Sequence, residues 1–122
     1  MQNAIEAAMQ AELLSVEHRQ LVADFEAAEP LAAQAEADYR RSKARFQLRW
    51  RHTHKTSEKT ALLHAEADDE ISGLHSNMLV SQAQIWAMKE KLEWYKQEMR
   101  RLNSLSVDQR AERQLDTRYQ PS

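Results

Sequence analysis

Cysteine is absent from this chain, glycine occurs once and proline twice among 122 residues. Without cysteine there is no disulfide framework, no thiolate nucleophile and no Cys-based zinc site, which fits a cytosolic setting. With so little glycine and proline, few residues interrupt regular structure, and a glycine-rich phosphate loop is excluded. The first residues have neither a basic n-region nor an apolar signal core, and no apolar run approaches membrane-spanning length. These absences predict a soluble, cytoplasmic protein with no membrane partner. Aromatic residues make up only 7%, so three of them inside one basic stretch stand out.

Strong helix formers (Ala, Glu, Gln, Leu and Arg) fill the chain instead, and they predict an all-α protein of one domain at most. Charged residues reach 30%, yet the net charge is only −2. The whole-chain balance therefore points to no partner, but its distribution does. Residues 1–38 carry −7, residues 39–60 carry +7, residues 61–88 carry −4 and residues 89–122 carry +2. Charge is segregated along the chain.

The first half has an apolar stripe in alternating steps of three and four: Ala4, Ala7, Ala11, Leu14, His18, Leu21, Phe25, Ala28, Ala32, Ala35, Tyr39, Ser42, Phe46 and Arg49. Such spacing keeps one face toward a neighbouring helix, as in a coiled coil. Pro30 interrupts it at a cost of about 3 kcal/mol in a helix interior. Because the stripe keeps its phase across Pro30, a kinked but continuing helix is expected. The run Arg51–Thr56 has low helix propensity, and Thr53, Thr56 and Ser57 are N-cap candidates for a second helix with Glu58 in its first turn. A second stripe follows: Ala67, Ile71, Leu74, Met78, Ser81, Ile85, Met88, Leu92, Tyr95, Met99 and Leu102. A short loop between two such helices makes them antiparallel neighbours. A turn near residues 53–54 sets Glu66–Glu70 opposite Ala37–Arg41, and Lys89, Lys91 and Lys96 opposite Ala11–His18. Ser106 followed by Gln109 resembles a capping box, predicting a short third helix with Val107, Ala111 and Leu115 on one face.

The expected fold is thus an all-α, antiparallel two-helix coiled-coil hairpin with a short C-terminal helix. Residues 1–30 form an acidic N-terminal segment, 31–105 the hairpin with a basic tip at 45–59, and 106–122 the short helix and a frayed tail. A lone hairpin buries one stripe per helix, which is marginal at this size. Leu79, Trp86 and Trp94 flank the second stripe and are expected at an oligomer interface.

The stretch Tyr39–Lys59 holds eight of the seventeen Lys and Arg with one acid, Glu58. Phosphate binding needs several cations with few competing acids, and single strands also use aromatic faces for stacking. Arg45, Arg49, Arg51, Lys55 and Lys59, with Trp50, His52 and His54, supply both. Trp50 is the stacking candidate, whereas Phe46 sits on the seam. Arg40, Arg41 and Lys43 are expected to be neutralised by Glu66–Glu70. No His pair has metal-ligand spacing, so no metal is expected. Glu66, Asp68, Asp69 and Glu70 read as an exposed acidic helix surface rather than acid–base machinery. No cofactor and no catalysis are expected.

Tyr39-x3-Lys43-Ala44, Thr56-x2-Lys59, Ala65–Asp69, the Lys89–Leu102 helix, Ser104 and Arg110-Ala111-Glu112 together resemble small helical proteins of phage recombination and replication loci. More distantly the layout is similar to the family of the recombination mediator UvsY. The similarity covers roughly residues 32–112 and rests on helix layout and a few polar positions. It implies an oligomeric helical protein that binds single-stranded DNA in the host cytoplasm and assists a recombinase, with Lys43, Arg45, Arg49, Lys55 and Lys59 at the DNA.

Two other readings compete with such an accessory protein. One is a structural or adaptor coiled coil that mediates protein–protein assembly without nucleic acid. The other is an inhibitor whose acidic residues 1–38 imitate nucleic acid.

Overall fold

The computed structural model describes residues 3–119, with side chains as far as residue 108 except Ser106. Three helices follow one another: α1 (Ala4–His54), α2 (Glu58–Ala67) and α3 (Asp69–Tyr119). There is no strand among the described residues. None of their helices is long and apolar enough to cross a membrane.

Asn3 starts α1, its Oδ1 accepting the Glu6 amide at 2.8 Å. Glu6 adds an acid to the first turn, at the positive end of the helix dipole. The helix then runs through Pro30 without restarting. Every position of the first stripe from Ala4 to Phe46 is buried or half-buried, and only Arg49 at its end is exposed. Apolar phase across the proline outweighs the hydrogen bond the ring removes.

The run Arg51–His54 stays helical, so α1 ends later than its propensities suggest. Lys55 then adopts a left-handed conformation with φ of 50°, a common way to end a helix but one that a β-carbon disfavours. Its amide still reaches the Arg51 carbonyl at 2.9 Å. Ser57, one of the three expected caps, begins α2 by accepting the Thr60 amide on Oγ at 3.3 Å.

A second break, unforeseen in the sequence, falls at Asp68. Its backbone is extended (φ −70°, ψ 131°) and its amide closes α2 on the Ala65 carbonyl. Its Oδ2 accepts the Ile71 amide at 3.1 Å and its carbonyl the Ser72 amide at 2.8 Å, so the same residue caps α3. Glu66 and Glu70 therefore belong to different helices and do not form one acidic helix face, which corrects the expectation above.

The short helix is α2, in the middle of the chain. Among the described residues there is no separate C-terminal helix, because α3 continues through Asn103–Ser106 to Tyr119. Ser106 and Gln109 do not end it: Asn103, Ser104, Val107 and Asp108 around them are weak helix formers, yet the helix runs on through them. The face expected from Val107, Ala111 and Leu115 and the tail after Tyr119 lie outside the described side chains or residues.

The chain divides into two compact units, one formed by residues up to Asp24 and from Met88 onward, the other by Phe25–Ala87. In the first, buried Ala7, Tyr95 and Leu102 mark the core. Tyr95 donates its hydroxyl to Glu17 Oε2 at 3.1 Å and meets the His18 ring edge-on at 6.2 Å. In the second, Ala61, Ala65, Ile71 and Met78 are buried. Ala61 and Ala65 lie one turn apart on α2, and their small side chains let backbones approach closely. Tyr39 stacks on His75 at 4.7 Å, and Lys43 lies 3.9 Å from Glu66. These pairings are displaced by several residues from the expected register, because the turn sits at Lys55–Ser57 and not at 53–54.

Candidate nucleic-acid interface

All nine residues singled out for nucleic acid fall in the Phe25–Ala87 unit. They divide into three groups by what they touch.

Lys43 is engaged inside the protein. Its ammonium lies 3.2 Å from the Tyr39 hydroxyl, 5.4 Å from that ring's centre and 3.9 Å from Glu66. The expected neutralisation by Glu66 holds for this lysine alone. Arg40 pairs with Glu36 on its own helix at 2.6 Å, as i,i+4 spacing favours, and Arg41 makes no ion pair among the described residues.

Trp50 and His54 form a ring cluster. The indole lies 3.8 Å from the His54 ring and 4.1 Å from His64 of α2, at interplanar angles of 17° and 23°. Two rings this close and this parallel cannot share one face without colliding, so the imidazoles sandwich the indole. Phe46 stacks farther along at 5.8 Å. Both faces of Trp50 are thus occupied, and a base finds no free face there; the stacking role expected of it is corrected. His54 donates Nδ1–H to the Trp50 carbonyl at 3.2 Å, helping to close the last turn of α1. The Trp50 Nε1 is buried with no acceptor. His64, which completes the sandwich, was missed because it belongs to another helix.

Arg45, Arg49, Arg51, His52, Lys55 and Lys59 are exposed. The five Lys and Arg among them make no ion pair among the described residues. Arg45 and Arg49 are one turn apart on α1, while Lys55 and Lys59 flank the turn. Of these six, Arg45 and Arg49 line an open groove of about 490 Å³, with Phe46 and Trp50 beside them on α1 and Asp68, Glu70 and Ile71 across from it. Among the described residues no group of three His, Asp or Glu side chains converges as metal ligands would.

Comparison with family models, curated proteins and solved structures finds no match to this chain.

Proposed function

We propose that the chain is an antiparallel helical hairpin that self-associates and binds single-stranded DNA through the cations around its turn. It acts without catalysis, as a cytoplasmic accessory to phage-type recombination or replication, and a recombinase is the protein partner the family resemblance favours. The observation that carries this reading is the exposure of Arg45, Arg49, Arg51, Lys55 and Lys59, unpaired and within fifteen residues of sequence. Cations free of carboxylates release counterions from a phosphate backbone, and that release drives binding. Within the Phe25–Ala87 unit, the contacts Tyr39–His75 and Trp50–His64, rising along α1 as they fall along the chain across from it, support the antiparallel arrangement. With Trp50 enclosed, affinity comes from phosphates and arginine planes rather than from indole stacking.

Fluorescence anisotropy of a labelled single strand tests it. Five phosphate contacts give a slope of roughly −3 to −4 in log affinity against log salt. Changing Arg45, Arg49 and Arg51 together to Glu abolishes binding while circular dichroism stays helical. A salt-independent affinity, or a triple variant that binds as well as the parent, refutes the proposal.

The second reading, a structural or adaptor coiled coil assembling with protein alone, is favoured by one observation. Leu79 and Trp86 of one unit and Trp94 of the other remain 49%, 65% and 50% exposed. In that case no oligonucleotide binds and the oligomer is intact.

A further inference from the structure

The groove beside Arg45 and Arg49 has walls of opposite charge. On α1 stand the two guanidiniums, and at the α2–α3 junction stand Asp68 and Glu70. None of the four is in an ion pair among the described residues, so the walls do not neutralise each other by contact. Half-buried Phe46 supplies apolar surface to the groove, while Ile71 reaches it with only 4% of its surface exposed. The volume, about 490 Å³, is that of a small-molecule site.

A ligand suited to both walls needs an anion on one side, N–H donors on the other and a flat apolar body between. A nucleotide has all three. Among the four bases only guanine sets two donors, N1–H and N2–H, side by side where one carboxylate accepts both. Asp68 is already committed, since its Oδ2 caps α3. Glu70 is exposed and makes no hydrogen bond or ion pair among the described residues. We propose that the groove holds one guanine of a bound single strand, with Glu70 accepting from N1–H and N2–H and Arg45 and Arg49 on the adjoining phosphates. This rests on the DNA-binding reading above and adds base preference to it.

The test uses the full chain and labelled oligothymidylates of roughly fifteen nucleotides, with the central base T, G, A or C. A single guanine is too few to form a quadruplex. The expected result is an affinity about tenfold higher for the guanine strand, with A and C near T. Glu70→Gln brings the guanine strand to the level of the others without changing the salt slope, whereas Glu93→Gln, an exposed acid in the other unit, leaves the preference intact. Equal affinity for all four strands with steep salt dependence overturns the guanine site and leaves DNA binding standing. Failure of every strand to bind overturns both.

Discussion

Tyr95 shows how one side chain ties the core of its unit to pH. It is buried, 6% exposed, and its hydroxyl donates to Glu17 while Lys91 lies 5.9 Å from its ring and His18 meets it edge-on. Burial raises its pKa above the usual phenol value, and the hydrogen bond and negative charge of Glu17 raise it further. A group whose pKa is raised by folding contributes stability that is complete below its unfolded pKa, about 10, and is lost as pH climbs through the folded value. Denaturant melts between neutral and strongly alkaline pH therefore lose stability faster for the parent than for Tyr95→Phe, which has no proton to lose. Parallel losses in the two proteins show that folding leaves the Tyr95 pKa unshifted. The sequence placed Tyr95 on the buried stripe, and there it is. It could not reveal Glu17 as the partner, because that contact spans 78 positions of the chain. Trp50 repeats the lesson: its basic neighbours are visible in sequence, but the imidazole that closes its second face arrives from α2.

At the scale of the element, Asp68 separates α2 from α3 and thereby shapes one wall of the groove. As an N-cap it satisfies the Ile71 amide, and Asp69 and Glu70 place acids in the first turn behind it. Replacing an N-cap aspartate by alanine costs about 1 kcal/mol. Asp68→Ala is expected to lower the unfolding free energy by that amount, read in a urea titration, while the same change at the neighbouring, exposed Asp69 costs less. If Asp68→Ala proves neutral, the break is not maintained by the cap. Both apolar stripes were legible because each repeats over many turns, and from Ile71 to Leu102 every stripe position is buried or half-buried. The break at Asp68 was not legible, since the expected stripe steps from Ala67 to Ile71 across it and the acids read equally well as solvated helix; in the structure Ala67 is exposed and Ala61 and Ala65 are buried in its place. The end of α1 was misplaced for the opposite reason. His52, Thr53 and His54 are poor helix formers, yet His54 and Lys55 bond back to carbonyls one turn earlier and carry the helix further. A turn displaced by a few residues shifts the pairings across it, and among the described residues the expected charge blocks make one ion pair between helices, Lys43 with Glu66.

For the molecule as a whole, the question is what supplies stability beyond so slender an interior. Of the seven buried residues among those described, three are alanines, which remove little apolar area from water. Ile5, Met9, Leu13 and Val16 in one unit and Leu79, Val80 and Trp86 in the other are at least half exposed or close to it. Exposed apolar residues at that density mark surfaces that meet another molecule. A second copy is always present at the concentration of the first, so self-association is the simplest way to cover them. Light scattering is then expected to give a multiple of the 14.2 kDa chain mass. The double change Leu79→Glu with Trp86→Glu returns the mass to one chain and lowers the melting temperature, since association adds to apparent stability by mass action. Reversing Arg45 and Arg49, by contrast, leaves the oligomer intact because those side chains lie outside the apolar set. A parent protein that stays at one chain mass over a hundredfold range of concentration defeats this expectation. The cations around Lys55–Ser57 would then act singly, without the multiplied phosphate contacts that an oligomer presents to a long strand.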